Sequence, residues 1–158
     1  MTVFHPSLKD KKDISFSVRL DWLNDLRGII TAHDTKGPIY VATPPAFGGE
    51  GMDWSPEHLF LGSIAGCYMA TYMHFAGKMN LKITHLECQA VGQVELVDGK
   101  YKFTHIGVFP TIYVDDQTTV ELADLAMIKT KKHCLISNTI KADIVYNGKI
   151  SRVSQKAS

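Results

Sequence analysis

The residues of this sequence best suited to chemistry are its thiols. Cys67 sits in the apolar run IAGCYMAT and, taken alone, reads as a small buried hydrophobe. Cys134 directly follows Lys131, Lys132 and His133, and a thiol near cationic groups or at a new helix start has a lowered pKa and more thiolate. Cys88, in HLECQAV, takes one position of a strand alternation and reads as structural. Ala123, Ala126, Met127, Thr130 and Cys134 recur at helical spacing, so Cys134 projects from a face of small apolar residues that should pack on something. If that partner is the helix of Cys67, two thiols meet in a partly apolar crevice, as a dithiol redox site requires. The thiolate is the reactive form, but an unassisted thiol with a pKa near about 8.5 is only a few per cent ionised at neutral pH. Cys67 is too far from its helix start for the dipole to help. An outside cation is needed.

Other constellations are weaker. Seven histidines (His5, His33, His58, His74, His85, His105 and His133) never stand at H-x-x-x-H spacing, so no metal is expected. Phe47, Trp54, Phe60 and Tyr68 cluster near one loop and helix start, where they either wall an apolar substrate pocket or make ordinary core and dimer contacts. The GGEG loop lacks the Lys and following Ser/Thr of a phosphate loop, which argues against nucleotide binding.

The elements that must position these residues are legible from patterning. Alternation in ISFSVRLDW, then LRGIITAH and IYVAT, predicts an N-terminal β-meander over 12–43. PPAFGGEGMD at 44–53 is a loop. Ser55 as N-cap and Pro56 at the first helical position open a central helix over about 56–77, apolar on every side and therefore in need of cover all round, from a second copy of the chain if necessary. A β-ribbon over 82–114 turns at Asp98-Gly99. The capping-box pattern Thr118-Thr119-Val120-Glu121 opens a second helix over about 118–133, with Lys129, Lys131 and Lys132 in its last turns. LISNTIK suits a short further helix, a last strand spans 142–148, and the tail SRVSQKAS is expected to fray.

With 158 residues, 45% of them apolar, a single domain over 1–158 is the default. Lys+Arg 17 against Asp+Glu 16 leaves a formal charge of +1, which disfavours nucleic acid. Three cysteines suit a reducing cytosol better than a secreted disulfide scaffold, and the opening MTVFHPSLKDKKD has no export signal, so a cytoplasmic chain is expected. The stretch 59–77 has no Asp, Glu, Lys or Arg, yet its Gly, Ser, Thr, Tyr and His content suits a helix enclosed by protein rather than lipid, so no membrane is expected.

TPPAFGGEGMDWSPEHLFLGSIAGCYMATY, with Pro-Glu ten residues before a cysteine, followed far downstream by KKHCLISNTIK, resembles the OsmC and Ohr (osmotically inducible protein C, organic hydroperoxide resistance) family. The resemblance covers most of the chain. It implies an α+β fold with β-sheets wrapped around a long central apolar helix, an intertwined homodimer with active sites at the interface, and cysteine-dependent reduction of organic hydroperoxides without a cofactor. It assigns Cys67 as the peroxidatic and Cys134 as the resolving cysteine, with a small or protein-bound thiol as reductant. Glu57 matches the glutamate of the Pro-Glu motif. The family's activating arginine matches Arg27 better than Arg19, although the surrounding residues depart from the usual glycine-rich context. A guanidinium keeps its charge when partly buried and has donors for both a thiolate and a carboxylate. Ten helical residues rise roughly 15 Å, so Glu57 and Cys67 of one helix cannot share a site. Either the two serve different purposes, or Glu57 of one protomer meets Cys67 of the other. The alternative to the enzyme is a small-molecule binding dimer of the same fold without efficient peroxidase activity; a third reading has all three thiols as inert core residues.

Overall fold

A computed structural model describes residues 14–115 and 117–152. The expectations for the opening segment, for His5, for the first two meander positions and for the tail beyond 152 lie outside the described residues. The chain falls into two compact units, the first ending at Pro56 and the second beginning at Glu57.

The first unit is an antiparallel meander of β1 (Arg19–Asn24), β2 (Arg27–Thr31) and β3 (Ile39–Ala42). The expected strand start is too early: residues 14–18 alternate in sequence but form no ladder, and Ile14, Phe16 and Val18 are exposed. Alternation marks a strand only where a neighbour pairs with it, and β1 pairs with β2 only from Arg19 onward. The loop after β3 contains one 3₁₀ turn, Pro45–Phe47, closed by Gly48 at φ 87°. It then doubles back beside β3. The Ala42 amide donates to the Trp54 carbonyl at 2.9 Å, and Gly49 lies so close to the Thr43 carbonyl that a side chain there would collide with it.

The second unit holds α1 (Pro56–Lys78), the ribbon of β4 (Ile83–Val97) and β5 (Lys100–Val114), α2 (Val120–His133), a short α3 (Leu135–Thr139), β6 (Asp143–Tyr146) and β7 (Lys149–Arg152). Asp98 and Gly99 have φ of 51° and 72°, the left-handed pair a tight hairpin with the native twist needs. The buried stripe of α1 is Ile64, Tyr68, Tyr72 and Ala76, one residue every four. It packs with Ile106, Val108, Ile112 and Val114 of β5 and with Ala123 and Ala126 of α2. Beside that stripe, Met69 and Met73 are exposed. The Tyr72 hydroxyl donates to the Ala123 carbonyl at 3.2 Å and ties α1 to the first turn of α2. Tyr72→Phe is expected to cost about 0.5–1.5 kcal/mol in chemical denaturation, the net value of one buried hydrogen bond.

Two details differ from the sequence reading. The helix cap is Thr119, whose hydroxyl accepts from the Leu122 amide at 3.3 Å. Thr118 is buried and bonds Asp115 and the Lys82 carbonyl instead, fastening the ribbon's end to the start of β4. The chain also continues past the last expected strand: β6 and β7 both run parallel to β5, pairing with residues 105–108 and 111–114. Ser151 and Arg152 of the expected frayed tail belong to β7. The break between the two falls opposite Pro110, which has no N–H for the ladder. At the break, Gly148 lies against the Met127 sulfur, where a Cβ would approach it to 2.7 Å. No helix among the described residues is long and apolar enough to cross a membrane.

Candidate functional site: a thiol pair in the second unit

Cys67 and Cys134 meet within the second unit. Cys67 projects from the middle of α1 and is partly exposed, whereas Cys134, the residue joining α2 to α3, is fully buried. The helical stripe explains the burial, since Ala123, Ala126 and Thr130 of the same face are also fully enclosed. At Cys134 the backbone turns to φ −66°, ψ 110°, which ends α2 and brings the first amides of α3 over α1. The Ile136 amide donates to the Cys67 sulfur at 3.5 Å, and the Thr71 hydroxyl lies 3.9 Å from that sulfur one turn further along α1. Ser137, three residues beyond Cys134, donates its hydroxyl proton to the Cys134 sulfur at 3.2 Å.

These donors divide the two thiols. Burial pushes the Cys67 thiol up, but the Ile136 amide, the Cys134 thiol, the Thr71 hydroxyl and the Leu135 amide together outweigh it, so Cys67 ionises below its ordinary value. Cys134 moves the opposite way. Burial raises it, the hydroxyl and amide of Ser137 pull it partly back, and the neighbouring Cys67 sulfur raises it further. The surrounding donors therefore favour ionisation of Cys67, and burial favours the neutral thiol at Cys134. This reverses the expectation of a lowered pKa at Cys134: Lys131, Lys132 and His133 are exposed, while the thiol faces the interior. The donors to Cys67 also include backbone amides, a source of activation that needs no cation and that the sequence reading missed.

The first unit fixes Arg27. Its Nε and one terminal nitrogen both donate to Oδ2 of Asp53, at 2.8 and 2.7 Å. β2 pairs Arg27 with Ala42, and the loop that doubles back past Ala42 carries Asp53 to it. Asp53 went unrecognised in the sequence because only that return path brings the loop beside β2. A cavity of about 340 Å³ opens next to Arg27, lined among others by Leu26, Thr43, Glu50 and Met52. Arg19 forms its own pair with Asp21 at 2.8 Å on the exposed side of β1. In the second unit, Oε2 of Glu57 is shielded from solvent and has no hydrogen-bond partner among the described residues.

The comparisons with known proteins agree with this arrangement of elements. The family model described as OsmC-like protein matches residues 49–147. The chain belongs to the OsmC-like family. Its fold is similar to that of an OsmC-like protein of unknown function from Vibrio cholerae, with a TM-score of 0.77 at 16% identity over 86% of this chain and 99% of that one. It is also similar to an organic hydroperoxide resistance protein, OsmC, from Legionella pneumophila, with a TM-score of 0.69 at 19% identity over 89% and 99% of the two chains. The uncharacterized protein YmaD of Bacillus subtilis is 22% identical over 135 residues, 84% of this chain and 90% of YmaD. The α+β, OsmC-like fold inferred from the sequence is thus established.

Within this OsmC-like chain the remaining candidates separate cleanly. Tyr68 belongs to the core, stacked on Tyr72 at 6.3 Å and leaning on Tyr146 at 6.0 Å, and Phe60 stacks on Phe103 at 4.8 Å. Both rings are engaged in the core of the second unit. Phe47 and Trp54 lie in the loop of the first unit and are exposed. Cys88 pairs with Pro110 in the ribbon, and its thiol is pushed up to about 11 by burial and by the charge of Cys134, which suits a structural cysteine. Of the histidines, His85 lies near Glu87, His105 near Glu95, and His74 and His133 both against Phe75.

Proposed function

We propose that this protein is a thiol peroxidase that reduces organic hydroperoxides through Cys67 and Cys134, acts as a homodimer in the cytoplasm, and is returned to the dithiol by a small or protein-bound thiol. The observation that carries the reading is the division of the two neighbouring thiols into a partly exposed one, lowered by the donors around it, and a buried one, raised by its burial. That is the pairing a two-cysteine peroxide reaction uses. The Cys67 thiolate attacks the distal peroxide oxygen, the O–O bond breaks, ROH leaves with a proton, and Cys67 becomes a sulfenic acid. The Cys134 sulfur then displaces hydroxide from Cys67, its proton completes a water molecule, and a disulfide remains. External thiols supply the two electrons that restore it.

Family membership adds support, since an organic hydroperoxide resistance protein is among the similar structures. We assign Arg27 as the cation that strengthens the thiolate and Glu57 as the carboxylate that orients it, the two reaching Cys67 across a dimer. The shielded, unpartnered Oε2 of Glu57 and the exposed apolar side chains of the first unit, Phe16, Leu20 and Trp22 among them, support a second protomer that completes the site. The Arg27–Asp53 ion pair favours one other reading, a small-molecule binding dimer, because part of the guanidinium is already engaged by a carboxylate.

Mass spectrometry after one equivalent of cumene hydroperoxide tests the choice. A Cys67–Cys134 disulfide formed with stoichiometric loss of the hydroperoxide is expected; unmodified thiols beside intact hydroperoxide would reject the peroxidase.

A further inference from the structure

We propose that Ser137 and Tyr146 are positioning residues for the resolving thiol, a hydroxyl chain running from the Tyr146 phenol through Ser137 to Cys134 that aims the Cys134 sulfur and stabilises the charge it gains as it loses its proton. The inference rests on the peroxidase reading, and nothing in the residue types alone announces it.

Ser137 donates its single proton to the Cys134 sulfur, which leaves its oxygen lone pairs free to accept. Tyr146, on β6 opposite Val108, has a hydroxyl shielded from solvent with no hydrogen-bond partner among the described residues. A buried donor without an acceptor carries the full desolvation penalty of that group, and in native structures it calls for an explanation. Ser137 lowers the pKa of this phenol, whereas both cysteine sulfurs raise it. Burial leads the causes that raise the phenol, so it stays protonated and remains a donor. The ring is held from two sides, by Tyr68 at a centroid distance of 6.0 Å and by Nζ of Lys131 at 5.6 Å above it. The ring is thus fixed in place, and the proposed chain forms when its hydroxyl donates to the Ser137 oxygen.

The step it serves is disulfide formation. As the Cys134 proton departs, negative charge grows on its sulfur; attack then moves that charge into the new S–S bond and onto the hydroxide leaving Cys67, which takes the proton as water. A hydroxyl already pointed at that sulfur stabilises the charge, and a phenol donating to that hydroxyl polarises it further. Ser137 thereby offsets some of the rise that burial imposes on Cys134 without making it a free thiolate that competes with Cys67.

The test is a single turnover of the full chain with one equivalent of cumene hydroperoxide, quenched with dimedone, in which intact mass gives the ratio of trapped Cys67 sulfenic acid to disulfide. Ser137→Ala is expected to raise that ratio on the order of tenfold, the scale of a lost hydrogen bond to a charged group. Tyr146→Phe should raise it a few-fold, Ser137→Thr should return it toward wild type, and the double variant should be no worse than Ser137→Ala alone because Tyr146 acts through Ser137. A wild-type ratio in Ser137→Ala overturns the proposal, as does an equal loss in the oxidation of Cys67 itself. Diamide, which oxidises dithiols without any peroxidase chemistry, separates the two readings. If hydroperoxide leaves the wild-type protein untouched, the peroxidase reading fails, and Ser137→Ala must still slow diamide-driven disulfide formation about tenfold or the positioning role fails as well.

Discussion

Cys67→Ser is expected to abolish hydroperoxide reduction, by about a thousandfold or more, the scale on which loss of a nucleophile acts. Serine keeps the shape but not the ionisation: its hydroxyl offers no appreciable alkoxide at neutral pH, and the donors around position 67 act on an anion that would no longer form. Cys134→Ser should behave differently. It leaves the first attack possible and removes the second, so one equivalent of peroxide is consumed, Cys67 is trapped as sulfenic acid, and turnover stops. Alkylation of the reduced protein by iodoacetamide across pH gives the companion measurement. Cys67 should react with a midpoint below the ordinary thiol value, and Cys134 and Cys88 should react later and at higher pH, since burial leads the causes that raise both. A protein in which Cys134 alkylates first would invert the roles, and one in which no cysteine reacts below the ordinary range would favour the binding dimer.

That order was only half legible in the sequence. The apolar stripe Ala123, Ala126, Thr130 and Cys134 forecasts a buried thiol on a packed face, and the structure places it there. The basic residues beside it mislead, because on a helix end the neighbours in sequence point in other directions than the thiol does. The donors that lower Cys67 include two backbone amides of α3, and backbone amides have no sequence signature of their own; only the turn at Cys134 aims them. Local signals did well where the physics is local. Pro56 opens α1 and Asp98-Gly99 turns the ribbon. Signals that depend on distant pairing were weaker. The parallel strands β6 and β7 need β5 as a template, and four residues of moderate apolarity, such as KISR, carry no mark of that partner. Asp53 likewise looks like one more loop carboxylate until the loop returns beside β2.

Arg27→Ala should slow hydroperoxide reduction by about tenfold to a thousandfold, the effect of removing an opposite charge next to a thiolate. Asp53 does not consume the guanidinium. Both of its contacts run through one oxygen, Oδ2, to Nε and one terminal nitrogen, while an arginine carries five N–H donors, so others remain for a sulfur or a second carboxylate. The loss should still fall short of that in Cys67→Ser, because the amides of Leu135 and Ile136 continue to stabilise the thiolate without the cation. Arg19→Ala should change little, since Arg19 is engaged by Asp21 on the exposed side of β1. Asp53→Asn distinguishes orientation from restraint. If Asp53 aims Arg27, its loss slows the reaction by less than Arg27→Ala does; if Asp53 withholds Arg27 from the thiolate, the variant reacts faster and its Cys67 alkylates at lower pH. Glu57→Gln keeps shape and hydrogen bonding but loses charge, so it should also fall between wild type and Arg27→Ala. An Arg27→Ala protein with wild-type rate and an unchanged alkylation midpoint would leave the amides as the whole source of activation and remove Arg27 from the site.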